Sequence, residues 1–112
     1  MGGVFNKSTS FQEGITLPDK VLIVDKINDT GSATWADSLS NYRTIIFITS
    51  LDIAENRTIT TIPYDILKDN CMGNNRLTVC TDTGYVKYTL TNTSYSINSS
   101  NAYKGTRIYG IK

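Results

Sequence analysis

The stretch TWADSLSNYRTIIFITS, residues 34–50, decides the fold of this chain of 112 residues. Its second half carries four consecutive apolar residues, and β-branched and aromatic side chains of this kind favour a strand because they pack well on a pleated surface. Alternation places Ile45 and Phe47 on one face and Ile46 and Ile48 on the other. Because both faces are apolar, we expect this strand to be central in a sheet, or covered by a second layer or a neighbouring subunit.

Composition and turn signals extend this interpretation to the whole chain. Thr (16), Ser (10) and Asn (10) make up about a third of the residues, and these residue types favour strands, turns and loops. The apolar or alternating runs between turn residues predict eight short strands, at residues 20–27, 32–36, 43–50, 57–62, 76–81, 85–91, 94–97 and 106–112. Short strands at this density predict an all-β fold, an antiparallel β-sandwich of jelly-roll-like type.

A single domain is expected, because a chain of this length holds one core. Residues 1–19 predict an N-terminal arm or linker, since isolated apolar residues stand there among Gly, Ser, Asn and Thr. Residues 20–112 predict the sandwich. Within it, residues 64–69 are consistent with a single helical turn or a short edge strand. Pro63 is expected to end the strand before them, because proline has no N–H to donate to a sheet.

The charge balance argues against an electrostatic surface for nucleic acid. The formal net charge is +1, with charges of both signs scattered along the chain, whereas nucleic-acid binding relies on clustered Lys and Arg. No apolar stretch approaches the ~20 residues that a membrane-spanning helix needs. We therefore expect neither a nucleic-acid partner nor membrane insertion.

The chain offers little of the chemistry that catalysis needs. It contains no His, which removes His-based triads and the usual zinc sites, and it has no phosphate-binding or dinucleotide-binding glycine motif. Paired carboxylates remain formally available for glycoside hydrolysis, but nothing in the sequence selects two of the acids that lie in or beside strands and turns. These are Asp25, Asp37, Asp52, Asp65 and Asp82. We expect a non-enzymatic protein without a cofactor.

The two cysteines, Cys71 and Cys80, leave two alternatives, a disulfide or two free thiols. Alternation places Leu77 and Val79 on one strand face and Cys80 on the other, while Cys71 falls in a predicted loop. This arrangement favours free thiols. The pair is not a metal site, because structural zinc needs four ligands.

Aromatic side chains are the best indication of a binding surface. The seven Tyr and one Trp can stack on sugars, and such amphipathic rings serve adaptable interfaces at low entropic cost. Trp35 and Tyr88 share a strand face with apolar neighbours and are expected in the core. Other side chains lie in predicted turns, at strand ends or on the exposed face of residues 85–91. These candidates for ligand contact are Tyr42, Tyr64, Tyr85, Lys87 and Tyr103.

Several segments together resemble the C-terminal domains of bacteriophage and prophage tail fibres and baseplate receptor-binding proteins. They are the strand of residues 21–27 with TGSATW (30–35), the turn DSLSNY (37–42) leading into IIFI (45–48), and the terminal strand RIYGIK (107–112). The likeness covers roughly residues 20–112. The pair Cys71 and Cys80 departs from the pattern of the group and leaves the role of that loop open.

The resemblance implies a trimeric knob at a fibre tip that binds a host-surface component, often a saccharide. It implies as partners other copies of this chain, a bacterial surface glycan or protein, and other tail proteins, with the virion as the location. Trimerisation would explain why residues 45–48 are apolar on both faces. Two alternatives stay open: a structural virion or tail-assembly domain whose tyrosines only pack, and a glycan-binding module of a secreted bacterial protein.

Overall fold

The computed structural model describes residues 19–29 and 31–112, which form two four-stranded antiparallel sheets. The strands are β1 (Lys20–Asp25), β2 (Ala33–Thr34), β3 (Thr44–Leu51), β4 (Arg57–Pro63), β5 (Leu77–Cys80), β6 (Tyr85–Leu90), β7 (Ser94–Ser99) and β8 (Tyr103–Ile111). A 3₁₀ turn (Leu39–Asn41) precedes β3, and helix α1 (Tyr64–Cys71) follows β4. The predicted all-β sandwich of eight short strands is confirmed. The arm or linker predicted over residues 1–19 lies outside the described residues except for Asp19.

Sheet I has the strand order β1-β8-β3-β4, and sheet II has the order β2-β7-β6-β5. The first and last strands pair with each other, as do β2 and β7, whereas β3–β4 and β5–β6 are hairpins. Strand β3 is central in sheet I and places Phe47 opposite Ile108 on one side and Thr60 on the other. The central position expected for this strand is therefore confirmed.

The core lies between the two sheets, and β3 shows how the alternation of the sequence builds it. Ile45 and Phe47 are fully buried, while Ile46 and Ile48 on the other face are only half-buried. The Phe47 ring packs on Tyr88 of sheet II with ring centroids 5.4 Å apart. One apolar face of β3 is thus covered by the second layer, and the other face is not.

A chain of five hydroxyl groups crosses this core. The Tyr88 hydroxyl is 2.8 Å from Thr49 Oγ1 and 2.6 Å from Thr106 Oγ1. Thr106 also bonds the hydroxyl of Tyr103, which lies 3.1 Å from that of Tyr95. Burial raises the pKa of Tyr88 to about 12 and raises that of Tyr103 as well. Because every oxygen in the chain has a partner, these polar groups fix the relative position of the two sheets instead of destabilising the core.

Residues 64–69 are neither a single helical turn nor an edge strand, so both alternatives were wrong. Helix α1 has eight residues and begins directly after Pro63, which ends β4 and stands at the N-cap position. The helix forms because Leu67 on its inner side is fully buried against the core, and burial of an apolar face stabilises even a short helix. None of the helices in the described part of the chain is long and apolar enough to cross a membrane.

Trp35 belongs to the core as expected. Its half-buried ring packs against the core with its centroid 5.9 Å from that of Tyr95. Its Nε1–H donates to the Asn92 carbonyl oxygen at 3.0 Å. Since its one polar atom is engaged by the backbone, Trp35 secures the β6–β7 loop to the sandwich.

Candidate functional site

A cleft of about 410 Å³ at one end of the sandwich brings together Tyr42 and Tyr64, two of the predicted contact residues. The backbone accounts for their approach. Tyr64 N–H donates to the carbonyl oxygen of Arg43 at 2.7 Å, and Arg43 N–H donates to that of Ile111 at 2.9 Å. The start of β3, the start of α1 and the end of β8 therefore meet at this cleft. Its lining residues are Ser40, Tyr42, Arg43, Pro63, Tyr64 and Asp65.

Tyr42 forms the inner wall of the cleft and is only 4% exposed. Its ring lies flat on Gly110, where a Cβ would come within 2.4 Å of Tyr42 Cγ. The ammonium group of Lys112 stands 5.6 Å from the ring centroid on a cation–π contact. Any side chain at residue 110 would displace the ring, so Gly110 is required for this wall to form.

A hydrogen-bonded turn holds the hydroxyl of Tyr42. That hydroxyl donates to Asp37 Oδ2, and Asn41 Nδ2 donates to Asp37 Oδ1 at 2.8 Å. The bond from Tyr42, followed by that from Asn41, keeps the pKa of Asp37 below its usual value. The bond to Asp37, with burial, raises the pKa of Tyr42. The acidic-serine turn noted in the sequence thus serves to orient Tyr42.

Tyr64 lines the cleft with a half-buried ring. Its hydroxyl donates to Asn92 Oδ1 at 2.7 Å, which ties the start of α1 to the β6–β7 loop. The polar groups at the rim are less engaged. The Arg43 guanidinium makes one hydrogen bond, from NH2 to the Lys112 carbonyl oxygen at 3.0 Å, and Asp65 is exposed at the first turn of α1. Donor and acceptor groups are therefore available to a ligand beside an aromatic wall.

Two other predicted residues lie on the outer face of sheet II, away from this cleft. Tyr85 is 37% exposed and begins β6, whereas the cleft lies near the opposite end of the sandwich, beside the loop that follows β6. Lys87 Nζ stands 5.4 Å from the Tyr85 ring centroid. Both side chains are exposed as expected, but they form a separate surface and do not add to the cleft.

Tyr103 does not fit its predicted role as a ligand contact. It is 6% exposed, and its hydroxyl belongs to the buried hydroxyl chain. The sequence-based boundary placed residue 103 in a loop, but β8 begins at Tyr103 and points its side chain inward. We therefore remove Tyr103 from the candidate site.

The cysteines are free thiols, so the disulfide alternative is not realised. Leu77 and Val79 point inward and Cys80 outward, as the alternation predicted. Cys71 ends α1 rather than lying in a loop, and burial raises the pKa of its thiol. Within residues 19–29 and 31–112, no cluster of three or more His, Cys, Asp or Glu side chains is able to hold a metal ion.

A second cleft, of about 370 Å³, lies at the opposite end of the β3–β4 hairpin. Its wall is wholly polar and combines Glu55 and Arg57 with Asp82 of the β5–β6 turn. The Arg57 Nε–H is already engaged by the carbonyl oxygen of Ala54 at 3.2 Å. This cleft offers no aromatic surface, so the cleft of Tyr42 and Tyr64 is the better candidate for a ligand.

Sequence reasoning missed Arg43, Asp65 and Asn92 as members or supports of the cleft. Arg43 precedes a strand and Asp65 begins a short helix, positions where charged residues are ordinary. Only their long-range proximity, set by the pairing of β3 with β8, distinguishes them. Searches against protein-family models, curated proteins and solved structures found no match to this chain.

Proposed function

We propose that this chain is a non-enzymatic receptor-binding domain of a bacteriophage tail fibre or baseplate protein, and that the cleft of Tyr42 and Tyr64 takes a saccharide unit of a bacterial surface. The observation that carries the proposal is the cleft itself, in which two tyrosine rings lie beside uncommitted N–H groups of Arg43 and the carboxylate of Asp65. The assignment to a phage tail, and with it the virion location, rests on the sequence resemblance.

The chemistry of the cleft supports a saccharide as the ligand. Sugar rings present apolar C–H faces that pack on aromatic side chains, and their hydroxyls pair with charged donors and acceptors. In the cleft the Tyr64 ring and Pro63 supply the apolar surface, while Arg43 and Asp65 supply donors and an acceptor. A carboxylate beside a guanidinium can hold two neighbouring sugar hydroxyls, because charge-assisted hydrogen bonds are the stronger ones.

A second candidate function is that of a structural virion or tail-assembly domain. The observation that favours it is the uncovered apolar face of sheet I, where Ile46, Ile48 and Ile59 point away from the core. Under this alternative the tyrosines only pack, and no saccharide binds. A glycan-binding module of a secreted bacterial protein shares the cleft chemistry and differs from the main proposal in its location outside a virion.

Glycan-array screening followed by calorimetric titration of the best ligand tests the proposal. Arg43→Ala and Asp65→Ala should each weaken binding by roughly 10-fold or more, since a hydrogen bond to a charged group contributes about 1.5–3 kcal/mol. Both side chains are exposed, so the melting temperature should hold. Lys87→Ala on sheet II is the matched control and should bind as tightly as the unmodified chain.

Two results would contradict the proposal. Absence of binding to bacterial surface saccharides would favour the structural alternative. Binding that Lys87→Ala weakens while Arg43→Ala leaves intact would move the site from the cleft to the outer face of sheet II.

A further inference from the structure

The outer face of sheet I, the surface turned away from sheet II, consists of three rows of four residues defined by the strand register. Each row crosses β1, β8, β3 and β4 in that order. The rows are Lys20–Ile111–Thr44–Pro63, Leu22–Tyr109–Ile46–Thr61 and Asp25–Arg107–Ile48–Ile59. Half of these positions carry large apolar side chains, and they lie contiguously through the middle of the sheet.

This face is unusual for a surface that meets water. An antiparallel sheet with one solvated face normally alternates apolar inward and polar outward residues, and contiguous apolar patches on soluble proteins mark interaction sites. Here Leu22 is 47% exposed and Ile59 is 66% exposed, at the two edges of the sheet. Ile46 and Ile48 lie half-buried between them. The patch therefore runs from one edge strand to the other.

The charged groups of this face are already partnered within it. Arg107 Nε donates to Asp25 Oδ1 at 2.9 Å, and Lys20 Nζ lies 5.7 Å from the Tyr109 ring centroid. The face thus presents no excess of one sign of charge to a partner. The net charge of the chain, +1, also opposes association of identical copies only weakly. An acidic or basic partner is not what this surface selects.

The size of the face suits a protein partner with a flat apolar surface of the same kind. Eight residues of β3 and four strands span roughly 27 by 19 Å, or on the order of 500 Å² in projection. Stable interfaces bury about 800 Å² of accessible surface per partner, which a side-chain-covered face of this extent approaches. Two such faces pack as sheets do in a sandwich, about 10 Å apart.

The two edges of sheet I differ in a way that extends this surface. Strand β1 carries Lys20 and Asp25 and a register shift between Leu22 and Val24, features that protect an edge from pairing. Strand β4 has Arg57 and Pro63 at its ends only, and between them Thr and Ile alternate. Its most exposed apolar side chain, Ile59, carries the patch out to this unprotected edge.

We propose that copies of this chain associate through the outer face of sheet I, with Leu22, Ile46, Ile48 and Ile59 at the centre of the interface. A second copy is the occupant because it brings an uncharged, flat apolar face of matching size and composition. The interface goes beyond saccharide binding at the cleft, which lies at one end of the sandwich and stays open when this face is covered. It identifies the surface through which the trimer implied by the resemblance would form.

Sedimentation equilibrium of the full chain from low to high micromolar concentration tests the proposal. The unmodified chain should give a multiple of the 12.4 kDa monomer mass. Leu22→Lys and Ile59→Lys should each weaken association by about 30-fold or more, because a charge replaces an apolar side chain at a desolvated centre. Thr78→Lys on edge strand β5 of sheet II adds the same charge and should leave the mass unchanged. Circular dichroism should show that all three variants remain folded.

Three results would overturn the proposal. A monomeric mass for the unmodified chain at high micromolar concentration would assign the face to a different protein or to another part of this chain. Association that survives both sheet I variants would place the interface elsewhere. Dissociation caused equally by Thr78→Lys would show that added charge, and not the apolar face, governs the mass.

Discussion

The two outer faces of the sandwich come from strands of similar length and pairing, yet they carry opposite chemistry. The outer face of sheet II consists of Thr, Ser, Asn and Lys side chains with Tyr85 and Cys80 at one end; its middle row joins Thr78, Lys87 and Asn98. The outer face of sheet I holds Leu22, Ile46, Ile48 and Ile59. The inner faces of both sheets are equally apolar. The difference indicates that one outer face is built for water and the other for a protein surface.

This comparison also separates two kinds of apolar residue within a single strand. Phe47 and Ile48 are neighbours on β3, but Phe47 contacts Tyr88 in the core whereas Ile48 points outward beside Ile59. The first contributes to folding of each chain. The second contributes to stability only when another surface covers it, so its contribution should depend on protein concentration.

The largest predicted effect contrasts these two neighbours. Phe47→Ala should lower the free energy of unfolding by about 3–5 kcal/mol at any protein concentration, because it leaves a cavity between the sheets. Ile48→Ala should cost about 1 kcal/mol or less at low micromolar concentration and more as concentration rises. Urea denaturation at two concentrations measures both. An Ile48→Ala cost that does not vary with concentration would break the distinction between the faces.

The next effect lies in the interior that both sheets share. The pKa of Tyr88 is raised to about 12 by burial, and that of Tyr103 is raised too. A raised pKa in the folded state means that the neutral hydroxyl is favoured there, so the stability it gives is complete below pH 10 and is lost as pH rises toward 12. For Tyr88 alone the loss should approach roughly 3 kcal/mol.

Urea midpoints measured from pH 8 to pH 12 check this expectation. Tyr88→Phe should show a shallower fall than the unmodified chain, although it is less stable at pH 8 because Thr49 and Thr106 lose a partner. Tyr85→Phe on the exposed face is the matched control and should follow the unmodified chain. Equal alkaline slopes for Tyr88→Phe and the unmodified chain would contradict the buried hydroxyl chain.

The smallest effect is at the cleft end of the sandwich, which is as wet as the outer face of sheet II. The hydrogen bond from Tyr42 lowers the pKa of Asp37. A lowered folded-state pKa gives stability that is present above the ordinary carboxyl pKa and is lost as pH falls through the folded value. Melting temperatures between pH 5 and pH 2 should therefore fall less steeply for Tyr42→Phe than for the unmodified chain, and an unchanged acid slope would show that the turn does not depend on this bond.

Much of the fold was predictable because it follows from local pattern. The eight strands and the outward position of Cys80 come from alternation and turn residues, which act over a few positions. The length of α1 was missed because propensity in residues 64–69 is weak, and burial of Leu67 decides the outcome. Tyr103 was misplaced because β8 begins three residues before the apolar run that marks it in the sequence.

The candidate site was less predictable, because it depends on contacts between distant parts of the chain. Tyr42 and Tyr64 were chosen as turn residues, but their meeting in one cleft follows from hydrogen bonds of Arg43 to both Tyr64 and Ile111. The apolar face likewise exists only because β1 pairs with β8 and brings Leu22 beside Tyr109. Sequence showed that β3 is apolar on both sides, and strand pairing was needed to show that a whole sheet face is.

The most direct test of the difference between the faces is the solvent exposure of individual methyl groups, measured by NMR with a soluble paramagnetic probe at high protein concentration. Ile59 and Thr78 are the pair to compare, since both are exposed in the single chain and both lie on edge strands. If copies cover the outer face of sheet I, the probe should broaden the Thr78 methyl strongly and spare those of Ile59, Ile46 and Ile48. An Ile59 methyl broadened as strongly as that of Thr78 would contradict the account.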